Sequence, residues 1–357
     1  MFAQITYPEA LAPQELDKFL ANGWFRMRQT IFTTNFLHFN QQFYSAIWLR
    51  VAMAEYKEDK KFKLLQKLNK AFRIEIKKSE AEKFSMAHEL LFQQYRQSIS
   101  FEVSSSLQEL LLGNETHSIF NTHEVNIYDG EILIAAGFFD LGEKTAAGIT
   151  CIYHPAYKKH SLGKYLMYLK IDFCRQQQLQ YFYPGYVVPG YPPFEYKLTV
   201  GKATLQYLQM ASQQWLPVEP HTILQNPLQD MIAKLTDLQM LLNTFDIPTT
   251  LQYYRFFEAN LNLHYLGNQL FDFPVFLHCF PKVHSANLTI IAFDVCDNNY
   301  YLLQASPIIH LGPHQQNSTV FEESLLNVES AIYVAPNKDE MVSFLANRYA
   351  QFCLSFI

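Results

Sequence analysis

Glycine is scarce in this chain, 12 residues in 357, so long glycine-rich loops are not expected. Charged residues make up only 17% of it, below the roughly one quarter usual for a soluble domain. With 49% hydrophobic residues, a disordered or collagen-like chain is excluded. Nowhere do 18 apolar residues run together, and the N-terminus has no basic stretch followed by an apolar one; neither a membrane-spanning helix nor a secretory signal is expected, and a cytoplasmic protein is. The five cysteines, Cys151, Cys174, Cys279, Cys296 and Cys353, form no Cys-x-x-Cys pair. That spacing and the odd number show no disulfide framework or zinc ribbon, and fit small buried hydrophobes in a reducing compartment.

Aromatic residues are plentiful, with 30 Phe and 22 Tyr, enough for thick cores in two or three domains at about 100–200 residues each. Charge divides the chain in two. Residues 1–220 carry 23 Lys and Arg against 21 Asp and Glu, and residues 221–357 carry 5 against 12. A near-neutral first part and a second part of net −7 predict modules with different partners.

Hydrophobic period and punctuation supply the elements. Residues 13–22 predict a short helix with Pro13 in its first turn, ended by Gly23. The aromatic, β-branched stretch 31–53 predicts short strands. From Tyr56 to Lys70, Phe62, Leu65, Leu68 and Phe72 alternate with Lys57, Lys60, Lys63, Lys67 and Lys70, an amphipathic helix with a basic face. Residues 79–98 read as a helix capped by Ser79 with Glu82 in a capping box, and another follows near 104–112. Three strands come next around the turn at Asp129-Gly130, then a helix over His160–Gln177 and a parallel-type return strand ending at Val188. Beyond Trp215, helices are expected at 228–242, 250–260 and 338–352, with three antiparallel strands between the last two.

A meander, a turn, a helix and a return strand form the unit by which acetyltransferase-type folds hold a phosphate, with backbone N–H groups at the helix start aimed at the anion. The Gln/Arg-x-x-Gly-x-Gly/Ala fingerprint becomes His160, Gly163 and Tyr165 here, and a ring at Tyr165 would crowd a pyrophosphate, so acetyl-CoA is disfavoured. The same stretch carries several spaced elements: the turn at Tyr128–Gly130, a strand ending at Asp140, Tyr153 and Pro155, Ser161-Leu162-Gly163, Tyr183 to Tyr186, and Tyr196-Lys197. Together they resemble the C-terminal domain of arginyl-tRNA–protein transferases and their bacterial leucyl variants. The similarity reaches upstream through Asn22–Arg26 and Lys63, Lys67 and Asn69, and covers roughly residues 13–207.

The resemblance implies an α/β chain with an acetyltransferase-like (GNAT-type) mixed sheet carrying helices on both faces. A small α+β N-terminal domain (1–75), the transferase domain (76–214) and an acidic α+β C-terminal extension (215–357) would make up the chain. The implied activity is transfer of an amino acid from aminoacyl-tRNA to an acceptor protein's N-terminus. Alternatives are an acyl-CoA-dependent N-acyltransferase and a non-catalytic protein-binding relative. Asp140 would position or deprotonate the amine, or else cap a turn; Lys197 would face developing negative charge. Ser161, Leu162, Gly163, Tyr183, Tyr186 and Tyr196 are the candidate substrate contacts, tyrosines being suited to stacking a terminal base and equally to half-buried strand positions. Lys60, Lys63, Lys67 and Asn69 are the candidate tRNA contacts; residues 50–83 hold 11 Lys and Arg against 6 Asp and Glu, a pattern also suited to a solvated face. Where the family carries a Cys-x-x-Cys element, this chain has Phe36-Leu37-His38-Phe39, so no cofactor is expected. Pro193-Phe194 replaces the family's Lys-Met. His278, Cys279, His284, His310 and His314 invite a metal, but Gly312 and Pro313 break helical spacing and no metal site is expected. The extension is expected to pack on the core or bind a protein partner.

Overall fold

A computed structural model describes residues 2–79, 85–100, 103–219, 226–262, 270–280, 287–310 and 321–354. It shows a mixed α/β fold built on several sheets. The largest has eight strands: β1 (Ile47–Ala52), β2 (Arg73–Lys78), β3 (Thr122–Asp129), β4 (Ile132–Leu141), β5 (Thr145–Tyr153), β6 (Tyr181–Val187), β7 (Leu205–Gln209) and β8 (Gln214–Pro217). Their spatial order is β8-β7-β1-β6-β5-β4-β3-β2. Only β5 and β6 run parallel, because the crossover between them is a helix, whereas a tight turn joins β5 to its antiparallel neighbour β4.

The central strand β4, with sequence ILIAAGFFDL, is buried at every position from Leu133 to Asp140, as a strand covered on both faces must be. One face meets α5 (Leu162–Gln176), whose Leu162, Leu166 and Leu169 join Ile134, Ala135 and Phe139 in the larger core. The other meets α3 (Met86–Ser98) and α4 (Leu107–Leu112) through Leu91, Phe92, Leu107 and Leu111. Helix α1 (Pro13–Ala21) buries Leu16 and Leu20 against Trp48 and Tyr183. Helix α2 (Lys60–Leu68) is capped by Asp59, whose side chain accepts the Lys61 N–H; the other Asp59 oxygen accepts the Tyr168 hydroxyl at 2.8 Å. The basic helix is thereby fixed to α5.

Two expectations are corrected. Ser79 does not cap a helix: it follows β2 and donates to Glu124 Oε2 at 3.0 Å, and the helix starts at Met86 after Ser85. The alternating stretch RIEIKK pairs along β3 as an edge strand, a long-range partner that local capping signals do not register; Glu82 lies outside the described residues. Residues 249–254 are a strand, not part of a helix, pairing with Val275–Cys279. Their β-branched and aromatic residues suit a pleated surface, and that pairing overrides the helix expected over 250–260.

That strand belongs to a six-stranded sheet with Val275–Cys279, Leu288–Asp294, Asn299–His310, Phe321–Glu322 and Ser324–Ala335. Leu228, Met231, Leu235, Leu238 and Leu242 of α6 (Pro227–Asn243) and Met341, Val342 and Leu345 of α7 (Lys338–Leu354) fill its core. Phe2 and Phe36 enter the same core, and the Phe2 N–H donates to the Asp272 carboxylate. The N-terminal residues therefore tie the two largest sheets together. No described helix is long and apolar enough to cross a membrane.

Candidate functional site

Strands β5 and β6 pair only over Thr145–Ala147 and Tyr181–Tyr183. The next residue on β6 is Pro184, which has no N–H to donate to the ladder, and Gly185 follows at φ +87°, a backbone state that favours glycine. β6 shifts register against β1 between Phe182 and Gly185; β5 shifts against β4 between Gly148 and Thr150. The strands part, and a cavity of about 540 Å³ opens where they separate. Its walls include Gly148 to Cys151 of β5, Pro184, the start of α5, and Phe194, Tyr196 and Lys197.

Lys197 is the most informative of the expected residues in this wall. Its Nζ donates to the Tyr186 carbonyl at 2.8 Å and lies 4.7 Å from the Phe194 ring centroid. Burial draws its pKa down to about 8, within reach of a proton-transfer role near neutral pH. Ser161, Gly163 and Tyr196 also line the cavity. Gly163 lies against Tyr153, whose ring carbon would stand 3.1 Å from an added Cβ. Burial raises the Tyr196 phenol well above its ordinary value, and that of Tyr95 on the facing helix to about 12, so both stay neutral donors.

Other expected residues stand elsewhere. Leu162 is buried in the core beneath the cavity, and Tyr183 is buried beside Phe25 and Trp215. Tyr186 stacks on Phe194 at 5.5 Å behind Lys197. Asp140 does not line the cavity: it is 1% exposed and bound to Arg26 Nη1 at 2.9 Å and Thr122 Oγ1 at 2.7 Å. Burial, outweighing the pull of Arg26, holds its carboxyl above the ordinary range. Lys60, Lys63 and Lys67 lie on α2, Lys63 paired with Glu58 at 3.3 Å. Asn69 is buried, donating to the Leu65 and His160 carbonyls, with its Oδ1 3.1 Å from His160 Nδ1. It fastens the end of the basic helix to the turn that leads into α5.

The sequence did not single out Lys170, and it marked Cys151 only as a small buried hydrophobe. Lys170 is 1% exposed, and its Nζ donates to the Phe138 and Thr150 carbonyls at 2.8 and 2.9 Å and to Cys151 Sγ at 3.3 Å. All three ammonium protons are used, which is what allows a charge to be buried. An added Cβ at Gly137 would come within 2.9 Å of Lys170 Cε, so that glycine gives the lysine its room. The signal was present: Lys170 stands one turn beyond Leu166 on the apolar stripe of α5.

Tyr165 corrects the expectation attached to it. Its ring is buried in the core, 6.1 Å from Phe62, and leaves the start of α5 uncovered. The reason is helical geometry: the position three after Leu162 falls on the same buried face. His278 and Cys279 share a strand of the six-stranded sheet and His310 ends another; His284 and His314 lie outside the described residues. Among those residues no group of three potential metal ligands forms.

Residues 60–207 match the family "Arginine-tRNA-protein transferase, C terminus". An aspartate/glutamate leucyltransferase of Leptospira interrogans is 25% identical over 197 residues, covering 54% of this chain and 74% of that protein. Arginyl-tRNA–protein transferase 1 of Saccharomyces cerevisiae is 27% identical over 135 residues, 38% of this chain and 25% of that one. A solved C-terminal domain (DUF2156) of a putative lysylphosphatidylglycerol synthetase from Agrobacterium fabrum aligns at a TM-score of 0.32 with 12% identity, over 43% of this chain and 49% of that one. The segment that matches the transferase family holds the cavity walls contributed by β5, α5 and residues 193–197.

Proposed function

We propose that this protein transfers an amino acid from aminoacyl-tRNA to the N-terminal amine of an acceptor protein, with the reacting ester in the cavity between β5 and β6. The observation that carries this reading is the cavity itself: a cleft of about 540 Å³ with a low-pKa lysine and neutral phenols in its wall, inside the segment shared with the transferases. The sheet around it is proposed to be of the acetyltransferase type, and the division into residues 1–75, 76–214 and 215–357 is kept as a proposal. The acceptor's amine attacks the ester carbonyl carbon, the bond to the ribose oxygen breaks, and that oxygen leaves with a proton. Lys197, when neutral, takes the proton that the attacking amine must lose. Tyr196 and Tyr95 donate to the oxygen that turns negative. Asp140 acts from a distance, holding strand Phe25–Met27 to β4 through Arg26. The lysines of α2 meet the phosphates of the acceptor stem, and the acidic extension offers a surface to a protein partner.

Incubating the full chain with labelled aminoacyl-tRNAs and peptides of varied N-terminal residue tests the reading; label should enter the peptide, and no transfer with any pair would refute it. A second reading, an acyl-CoA-dependent N-acyltransferase, is favoured by one observation: the inward turn of Tyr165 leaves the start of α5 open to a pyrophosphate beside Lys158 and Lys164. Saturable binding of acetyl-CoA in calorimetry, lost on bulky substitution at Gly163, would move the assignment there.

A further inference from the structure

We propose that Cys151 and Lys170 form an oxidation site: hydrogen peroxide entering the cavity oxidises the Cys151 sulfur, and the Lys170 amine then closes on it to give a covalent sulfur–nitrogen link between β5 and α5. The pair stands 3.3 Å apart, Nζ to Sγ, and the transfer step proposed above uses neither residue. Cys151 is half-buried in the wall of the cavity of about 540 Å³, whereas Lys170 is 1% exposed. A small solute therefore reaches the sulfur from the cavity, and the amine meets it from the protein side.

The hydrogen bonds of Lys170 set the geometry. Its tetrahedral Nζ gives two protons to the Phe138 and Thr150 carbonyls at 2.8 and 2.9 Å, so the third points at Cys151 Sγ. Loss of that third proton keeps both carbonyl bonds and turns a lone pair toward the sulfur. Burial, which draws the lysine's pKa below its ordinary value, eases the loss. In the first step the thiolate form attacks one peroxide oxygen: an S–O bond forms, the O–O bond breaks, and the other oxygen leaves as water. In the second the neutral amine attacks the sulfenic sulfur, the S–O bond breaks, and the departing hydroxide takes the proton that the nitrogen gives up. Sulfenic acids condense in this way with thiols and with backbone nitrogen. One peroxide is reduced to two waters, and the sulfur gives up the two electrons. The linked nitrogen keeps one N–H for two carbonyls, and the buried acceptor left unserved favours reversal by a thiol.

The test treats the full chain with hydrogen peroxide, alkylates the remaining thiols with iodoacetamide in urea, and maps the tryptic peptides. Trypsin cleaves after a free Lys170 and not after a linked one. Residues 145–158 should therefore appear joined to an uncut 165–175, at a mass two hydrogens below the sum of the two peptides with Cys174 alkylated. Dithiothreitol should release both and restore cleavage at Lys170. Cys151→Ser and Lys170→Arg should each abolish the joined species; urea midpoints check that they fold, and the wild-type map decides the matter where they do not. A disulfide from Cys151 to Cys174 with Lys170 still cleaved would overturn the proposal, as would Cys151 carried to sulfinic acid, or left unoxidised, with residues 165–170 released.

Discussion

Replacing Arg26 tests how the fold holds its centre. The Arg26 and Asp140 side chains are 4% and 1% exposed, and one Asp140 oxygen, Oδ2, already lacks a partner. Arg26→Met leaves that carboxylate with the Thr122 hydroxyl alone, a buried charge without compensation, which costs about 3–5 kcal/mol. The loss is electrostatic, because the Leu111 carbonyl that Arg26 also serves keeps the Gln29 amide at 2.8 Å. Asp140→Leu alone strands the guanidinium and should cost a similar amount. The double variant removes both desolvation penalties, and burial already dominates the pKa shifts of both partners, so it should return to within about 1–2 kcal/mol of wild type. Urea denaturation of the four proteins, compared at constant m, reads the cycle. Single variants costing under about 1 kcal/mol, or a double variant as unstable as the sum, would refute the reasoning. Activity separates the roles proposed for Asp140: the stable double variant should keep transferring, and its failure to do so would place Asp140 in the chemistry.

Glu258 is half-buried near Tyr186, and desolvation raises its carboxyl to about 7. Since the folded value lies above the unfolded one, its contribution to stability is complete below about pH 4.5 and is lost as pH rises through 7; Glu258→Gln should match wild type at pH 4.5 and exceed it by up to about 3 kcal/mol at pH 8, read from urea midpoints, and a constant gap would contradict this. Lys197 predicts a kcat/KM profile that climbs through about pH 8; Lys197→Met should lower the rate by about 10²–10⁴ and remove that limb, and an unchanged profile would take the base role away. Joint replacement of Lys60, Lys63 and Lys67 by Ala should weaken tRNA binding and flatten the slope of log K against log salt by up to about one per lost contact. An unaltered slope would leave α2 a solvated face.

What the sequence made legible was whatever depends on period and local punctuation. The meander, α5, the return strand and the basic helix all follow from near-neighbour patterns, and so does the transferase resemblance, which is an order of short elements. What escaped depends on contacts between distant residues. Nothing near Arg73 announces that it begins an edge strand against β3, and nothing local in Thr249–Tyr254 says that Val275–Cys279 will pair with it. The cavity was half legible: Ser161, Gly163, Tyr196 and Lys197 were named from their motifs, but Lys170 needed Gly137, 33 positions away, to have its room. Asp140 was legible as a strand end, while its partner Arg26 lies 114 positions earlier.

Charge asymmetry acquires a geometric meaning once the fold is in place. The lysines of α2 and those at 158–164 are separate in the sequence, and buried Asn69 joins them by holding the end of one against the turn before the other. On the proposed reading, a polyanion held by α2 would have the turn before α5, with Lys158 and Lys164 in the cavity wall, next to the end of that helix. The C-terminal unit has the opposite effect: residues 221–357 carry 12 acidic and 5 basic residues, and their sheet is fixed to the rest through Phe2 and Phe36. An acidic body attached to a basic edge leaves a nucleic acid one favourable direction of approach, an orientation effect that acts before contact and fades beyond a Debye length of about 8 Å at physiological salt. On the proposed transferase reading the acidic unit would bias the approach of tRNA without touching it, beside the protein surface proposed for it, and neutralising Asp and Glu of residues 226–354 should then slow tRNA association at low salt and leave it unchanged at high salt.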